Sequence, residues 1–130
     1  MTVITFGTFD LLHIGHVRLL QRAGRLGDRL VVGVSTDHLS FKKKGKFPVF
    51  SEAERLEIVA SLACVDEVFR EESLELKRHY ILKHQADLLV MGDDWAGRFD
   101  HLRDVCAVRY LPRTEGISTT EILLTLTTAA

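Results

Sequence analysis

The 130-residue chain has little of several things, and each shortage excludes a class of protein. It has two cysteines, Cys64 and Cys106, with no Cys-x-x-Cys or Cys/His spacing, which excludes a zinc ribbon and leaves two buried thiols as the expectation. No apolar run approaches the ~20 residues that span a bilayer. The first residues, Met1 to Phe6, lack the basic segment and long apolar stretch of a secretory leader and read as a strand, so a cytoplasmic, membrane-free protein is expected. The formal net charge is -1, too little of either sign for a nucleic-acid coat, so any anion site must be local. Neither repeats nor low-complexity segments occur.

What remains is an ordinary globular composition, 46% hydrophobic and 27% charged, at the size of one domain covering residues 1–130. Apolar β-rich runs at Val3–Phe6, Leu30–Ser35, Asp66–Phe69, Leu88–Met91 and Ala107–Leu111 alternate with stretches of helical period. Several runs are continuously apolar, as in strands buried on both faces. Val17, Leu20, Ala23 and Leu26 lie on one helical face that closes at Gly27, and Ser51-Glu52-Ala53-Glu54 is a capping box opening a helix through Leu62. Ser73 caps a third helix, and Ser118-Thr119-Thr120-Glu121 is a second capping box. The pattern predicts an α/β fold, a doubly wound five-stranded parallel sheet. Ligands of such folds sit beyond the carboxyl ends of the strands, where strand order reverses.

Four segments follow predicted strands and carry chemistry. After the first comes Gly7-Thr8-Phe9-Asp10-Leu11-Leu12-His13-Ile14-Gly15-His16. Gly7 permits a sharp turn, and His13 and His16 share a face at the start of a helix whose dipole and free N–H groups favour anions. Two imidazoles so placed can donate to a phosphate, cap the helix or bind a metal. After the fifth strand, Arg113-Thr114-Glu115-Gly116-Ile117-Ser118-Thr119-Thr120 joins a guanidinium, a glycine and hydroxyls to a helix start, a cradle suited to a triphosphate or simply a capped helix. Met91-Gly92-Asp93-Asp94-Trp95 follows the fourth strand; its carboxylates suit magnesium through water, a ribose or a base, or form a solvated acidic turn. The irregular stretch Asp37 to Phe50 is long for an α/β connection and holds Lys42, Lys43, Lys44 and Lys46. A lysine run is most often a solvated face.

The first segment resembles the HxGH signature of the nucleotidylyltransferase superfamily, and RTEGISTT with MGDDW is similar to motifs of the glycerol-3-phosphate cytidylyltransferases. The resemblance extends from about Val3 to Glu121 with four motifs in order. It implies a Rossmann-like fold of the nucleotidylyltransferase type, CTP and glycerol 3-phosphate as substrates, magnesium carried with the nucleotide, and a homodimer. It also implies that His13, His16, Lys44, Lys46 and Arg113 carry the reaction. Gly7, Thr8, Phe9, Ile14, Gly15, Asp94, Thr114, Glu115, Gly116, Ile117, Ser118, Thr119 and Thr120 join them around CTP. Lys44 and Lys77 meet the acceptor. A one-residue length difference in the lysine loop leaves Lys43 as an alternative counterpart of Lys44. Arg55 and Lys77 match basic positions of the family, or else are surface charges. Ala63 and Leu74 depart from the arginine and tryptophan of the best-known members, which bears on the acceptor. A nucleotidyltransferase for another phosphorylated alcohol, or one using ATP, and a non-catalytic nucleotide-binding module are the alternatives.

Overall fold

The computed structural model describes residues 1–112 and 126. Five parallel strands run in the order β3-β2-β1-β4-β5: β1 (Thr2–Gly7), β2 (Arg29–Ser35), β3 (Glu67–Glu71), β4 (Leu88–Gly92) and β5 (Ala107–Leu111). The chain winds outward from β1 to β3, then returns to lay β4 against the other side of β1. Strand order therefore reverses between β1 and β4, and the predicted doubly wound sheet is present.

The period-2 geometry of strands divides the core in two. Val3, Leu30, Val32, Val34, Leu88 and Val90 face α1 (Ile14–Gly24) and α3 (Glu52–Ala60), packing with Leu20, Ala23 and Val59. Ile4, Phe6, Val31, Leu89 and Met91 face the other way, onto α4 (Lys77–Lys83) and the short turns after β4, packing with Tyr80, Ile81, Phe99 and Leu102. Burial on both faces explains why β1, β2 and β4 read as continuous apolar runs. The edge strand β5 instead alternates, with Ala107 and Arg109 exposed. No helix among the described residues is long and apolar enough to cross a membrane.

Four local expectations are revised. Asp37 to Lys44 is not irregular but forms an eight-residue helix, α2, capped by the Thr36 hydroxyl, which accepts from the Leu39 N–H at 3.1 Å. Its three terminal lysines suit the negative end of a helix dipole, and Gly45 ends it at φ 74°, where a side chain is disfavoured. α1 stops at Gly24 rather than near Gly27. Ser73 caps a single 3-10 turn, Leu74–Leu76, which leads into α4. Cys106 is buried, but Cys64 is only half-buried; both are free thiols. The capping box at Ser118 lies outside the described residues.

One side chain ties the carboxyl ends of the strands together. Arg55, fully buried on α3, donates from Nη1 to the carbonyls of Thr8 and Ser35, both at 2.8 Å. Its Nε donates to the Phe50 carbonyl at 3.0 Å, and Nη2 pairs with Asp37 at 2.7 Å. The surface-charge alternative for Arg55 does not hold. Replacing it with alanine strips a buried charge network of its donor, so Arg55→Ala is expected to lose about 3–5 kcal/mol in chemical denaturation. A loss below about 1 kcal/mol, the range of surface ion pairs, would show that the brace is dispensable.

Candidate active site

The turn after β1 is strained where the site begins. Phe9 and Leu11 adopt φ values of 54° and 49°, left-handed conformations that non-glycine residues hold only when packing enforces them. Phe9 is buried, and its ring occupies the space a side chain at Gly7 requires: a Cβ there stands 2.8 Å from Phe9 Cζ. Gly7 is therefore demanded by Phe9. Asp10 then accepts from the backbone N–H groups of Val49 and Phe50 at 2.7 and 2.9 Å, fastening the segment after α2 to this turn.

His13 and His16 meet at the first turn of α1 with rings stacked, centroids 3.8 Å apart and planes inclined by 22°. The Gly15 N–H donates to His13 Nδ1 at 3.0 Å, and the His13 N–H donates to His16 Nδ1 at 3.2 Å. The capping role and the phosphate-facing role are thus not alternatives. Each Nδ1 serves the backbone, so each ring carries its proton on Nε2. This also revises the source of anion affinity: two backbone donors expected to be free are spent on the imidazoles. No carboxylate occupies the first turn of α1 to offset the helix dipole.

His16 is held neutral. Burial, then the neighbouring His13 and Lys44, lower its pKa to about 4, against a smaller upward pull from Asp10. The influence of Lys44 places that ammonium close enough to matter at the histidines. Phe9 adds an edge-on ring contact at 5.6 Å, fixing His16 from the other side.

The lysines divide by environment. Lys44 is exposed at the end of α2, and Lys46 is exposed beyond the Gly45 turn. Lys43 turns inward, donating to Ser35 Oγ at 2.9 Å. Lys77 is buried, paired with Glu71 at 2.5 Å and seated over the rings of Phe6 at 4.5 Å and Phe99 at 5.2 Å. It is no surface charge. Ile14 is exposed at the head of α1, and Thr8 contributes its carbonyl to Arg55. Asp94 is exposed on the 3-10 turn that follows β4, across the strand-order reversal from His13 and His16. Trp95 packs on Phe99 at 5.5 Å and covers core. Arg113, Thr114, Glu115, Gly116, Ile117, Ser118, Thr119 and Thr120 lie outside the described residues. A separate hollow of about 470 Å³ beside β3 and α4 shares no lining residue with the histidine site.

A strained turn and two stacked imidazoles at a helix start, with the Lys44 ammonium near enough to act on His16, gather at the strand-order reversal. The profile of the cytidylyltransferase-like family matches residues 4–124. The chain belongs to that family. Glycerol-3-phosphate cytidylyltransferase of Bacillus subtilis (strain 168) is 54% identical over 120 residues, 92% of each chain. The protein of that name from Staphylococcus aureus is 47% identical over 120 residues, covering 92% of this chain and 90% of its own. Among solved structures, the lipopolysaccharide core biosynthesis protein of Thermoplasma volcanium GSS1 superposes with a TM-score of 0.75. That match covers 88% of this chain and 98% of the other at 24% identity, a likeness of fold alone.

Within this cytidylyltransferase, sequence reasoning passed over Ser35 and Glu71, which stand in no motif, and undervalued Asp10 inside one. Only their position at strand ends could have drawn attention to them.

The lowered pKa of His16 has a sign that can be checked. Between about pH 6.5 and about pH 4 the unfolded chain binds a proton that the folded chain refuses, so stability from this residue is present above pH 6.5 and lost as pH falls toward 4. Nitrogen-detected NMR is expected to show His16 neutral, with Nε2 protonated, at pH 6. A titration midpoint near the ordinary histidine value contradicts the burial that the geometry describes.

Proposed function

We propose that this enzyme transfers the cytidylyl group of CTP to sn-glycerol 3-phosphate, releasing CDP-glycerol and pyrophosphate. The observation that carries the chemistry is the stacked His13–His16 pair, in which each Nδ1 accepts from a backbone N–H and so leaves the ring proton on Nε2. The relatives named above supply the substrate choice.

An acceptor phosphate oxygen attacks the α-phosphorus, and the bond to the oxygen bridging toward the β-phosphorus breaks, its electron pair leaving with pyrophosphate. A phosphate monoester is already an anion, so no general base is needed, and catalysis is positioning with charge stabilisation. His13 and His16 donate to α-phosphate oxygens whose charge grows in the transition state. Lys44 and Lys46 attend the phosphates of nucleotide and acceptor, and Arg113 with Ser118, Thr119 and Thr120 takes the triphosphate tail. Asp94 faces the nucleoside end, and Lys77 the acceptor phosphate. A magnesium ion carried with the triphosphate would supply positive charge to offset that on the departing pyrophosphate. The family resemblance supports a homodimer.

Mass spectrometry of products from magnesium, each nucleoside triphosphate and a panel of phosphorylated polyols is expected to show CDP-glycerol from CTP and glycerol 3-phosphate. Another nucleotide or alcohol in the product keeps the chemistry and overturns the substrate; binding of CTP without any product overturns turnover itself. His16→Ala is expected to lower kcat by on the order of 10²-fold, the weight of a donor aimed at a transition state. A folded variant with near-normal kcat removes His16 from the chemistry.

A further inference from the structure

Glu71 closes β3 with a carboxylate that is only 1% exposed, and its two oxygens serve different partners. Oε2 pairs with Lys77 Nζ at 2.5 Å. Oε1 accepts from the Ser35 hydroxyl at 3.4 Å, and that hydroxyl in turn accepts from Lys43 Nζ at 2.9 Å. One carboxylate on an edge strand thus holds two ammonium groups from two helices, α4 directly and α2 through a hydroxyl.

We propose that Glu71 is a positioning residue for acceptor binding, holding Lys43 and Lys77 together as a cationic clamp for the phosphate of the monoester acceptor. The proposal rests on the function set out above. Two ammonium groups repel each other, and each is drawn away from water; without a shared counter-charge such groups shed a proton or swing outward. Among the described residues, Glu71 is the carboxylate that meets both, Lys77 directly and Lys43 through the Ser35 hydroxyl. The charged groups facing Lys43 are Glu71 on β3, Lys77 on α4, Arg55 on α3 and Lys44 on its own helix. Arg55 is already paired with Asp37, which leaves the Lys43–Lys77 corner one positive charge richer than Glu71 can neutralise. A phosphate is drawn to that excess. Repulsion between Glu71 and the incoming phosphate is the smaller effect, because losing the clamp forfeits two cations and keeping Glu71 costs one anion.

The same arrangement sets a pH limit. Burial, and then the surrounding cations, bring Lys43 down to about 8, while Glu71 pulls it upward. Acceptor affinity should therefore decline above about pH 8 as Lys43 loses its proton. Removing Glu71 should move that decline to lower pH.

The test is steady-state kinetics of the full chain and of Glu71→Gln, Glu71→Asp and Ser35→Ala across the neutral and alkaline range, with each variant's thermal melt recorded. Glu71→Gln is expected to raise KM for glycerol 3-phosphate by about tenfold or more, as when one partner of a buried charge pair is removed. KM for CTP should change little, the alkaline limb of acceptor affinity should shift to lower pH, and Glu71→Asp should recover part of the loss. A folded Glu71→Gln protein whose acceptor KM and alkaline limb match the wild type overturns the proposal, as does an equal rise in both KM values. Should Glu71→Gln fail to fold, Ser35→Ala cuts only the Lys43 link, and an unmoved limb there overturns it. If the wild type does not use glycerol 3-phosphate, the proposed function fails separately. Calorimetry with inorganic phosphate then decides the clamp: weaker binding to Glu71→Gln supports it, and equal binding overturns it.

Discussion

The buried guanidinium of Arg55 is the constraint on which the site end of the molecule depends. Four segments converge at the carboxyl edge of the sheet: the turn after β1, the end of β2, the head of α2 and the bend that leads into α3. Each brings a carbonyl or carboxylate to the buried guanidinium, and Arg55 donates to one from each. Its planar fork suits this task as a lysine could not, because five fixed donors can meet four acceptors at once. Asp10 completes the lattice from the opposite direction by accepting from Val49 and Phe50. The positions of α2 and its lysines follow from these contacts rather than from any packing of α2 itself, whose buried residues are only Leu39 and Ser40.

Strain and burial at the β1 turn have a common cause. Phe9 is held left-handed because its ring must fill the space above Gly7 and support His16. Supporting His16 there also desolvates it, and desolvation keeps the ring neutral beside its stacked neighbour. A protonated His16 would need to give up the hydrogen bond from the His13 N–H, so the cap of α1 and the tautomer of the ring are one arrangement.

The sheet and the segments that follow its strands were legible in the sequence, because strands buried on both faces read as short continuous apolar runs between stretches of helical period. The caps at Ser51 and Thr36 differ in visibility for a physical reason. Ser51 precedes a glutamate at the capping-box distance and an apolar run, whereas Thr36 precedes a helix whose outward face is lysine and whose inward face is nearly empty. Without apolar period, α2 resembled a loop. Arg55 and Lys77 showed the converse limit. A charged residue on an amphipathic helix reads as solvent-facing unless its partner is known, and the partners, Ser35, Asp37 and Glu71, lie far away in sequence. Glu71 was invisible for the same reason: nothing in a β-strand of alternating charge marks which carboxylate turns inward.

On the proposed reaction, the distribution of charge along the site follows the distribution of charge in the substrates. Triphosphate and acceptor phosphate are charged before reaction, and the partners proposed for them are ammonium groups: Lys77 and Lys43 for the acceptor phosphate, Lys44 and Lys46 for the phosphates of both substrates. At the α-phosphorus the charge changes during the reaction, and the donors proposed for it are the imidazoles of His13 and the neutral His16. A cation at that point would bind the ground state nearly as strongly as the transition state and so contribute little to kcat. A neutral Nε2–H, fixed by its own Nδ1 acceptor and needing no reorganisation, gains most as the oxygen it faces becomes more negative. The burial that lowers the pKa of His16 is then a requirement of the chemistry, since a histidine that titrated near neutral pH would alternate between the two kinds of donor.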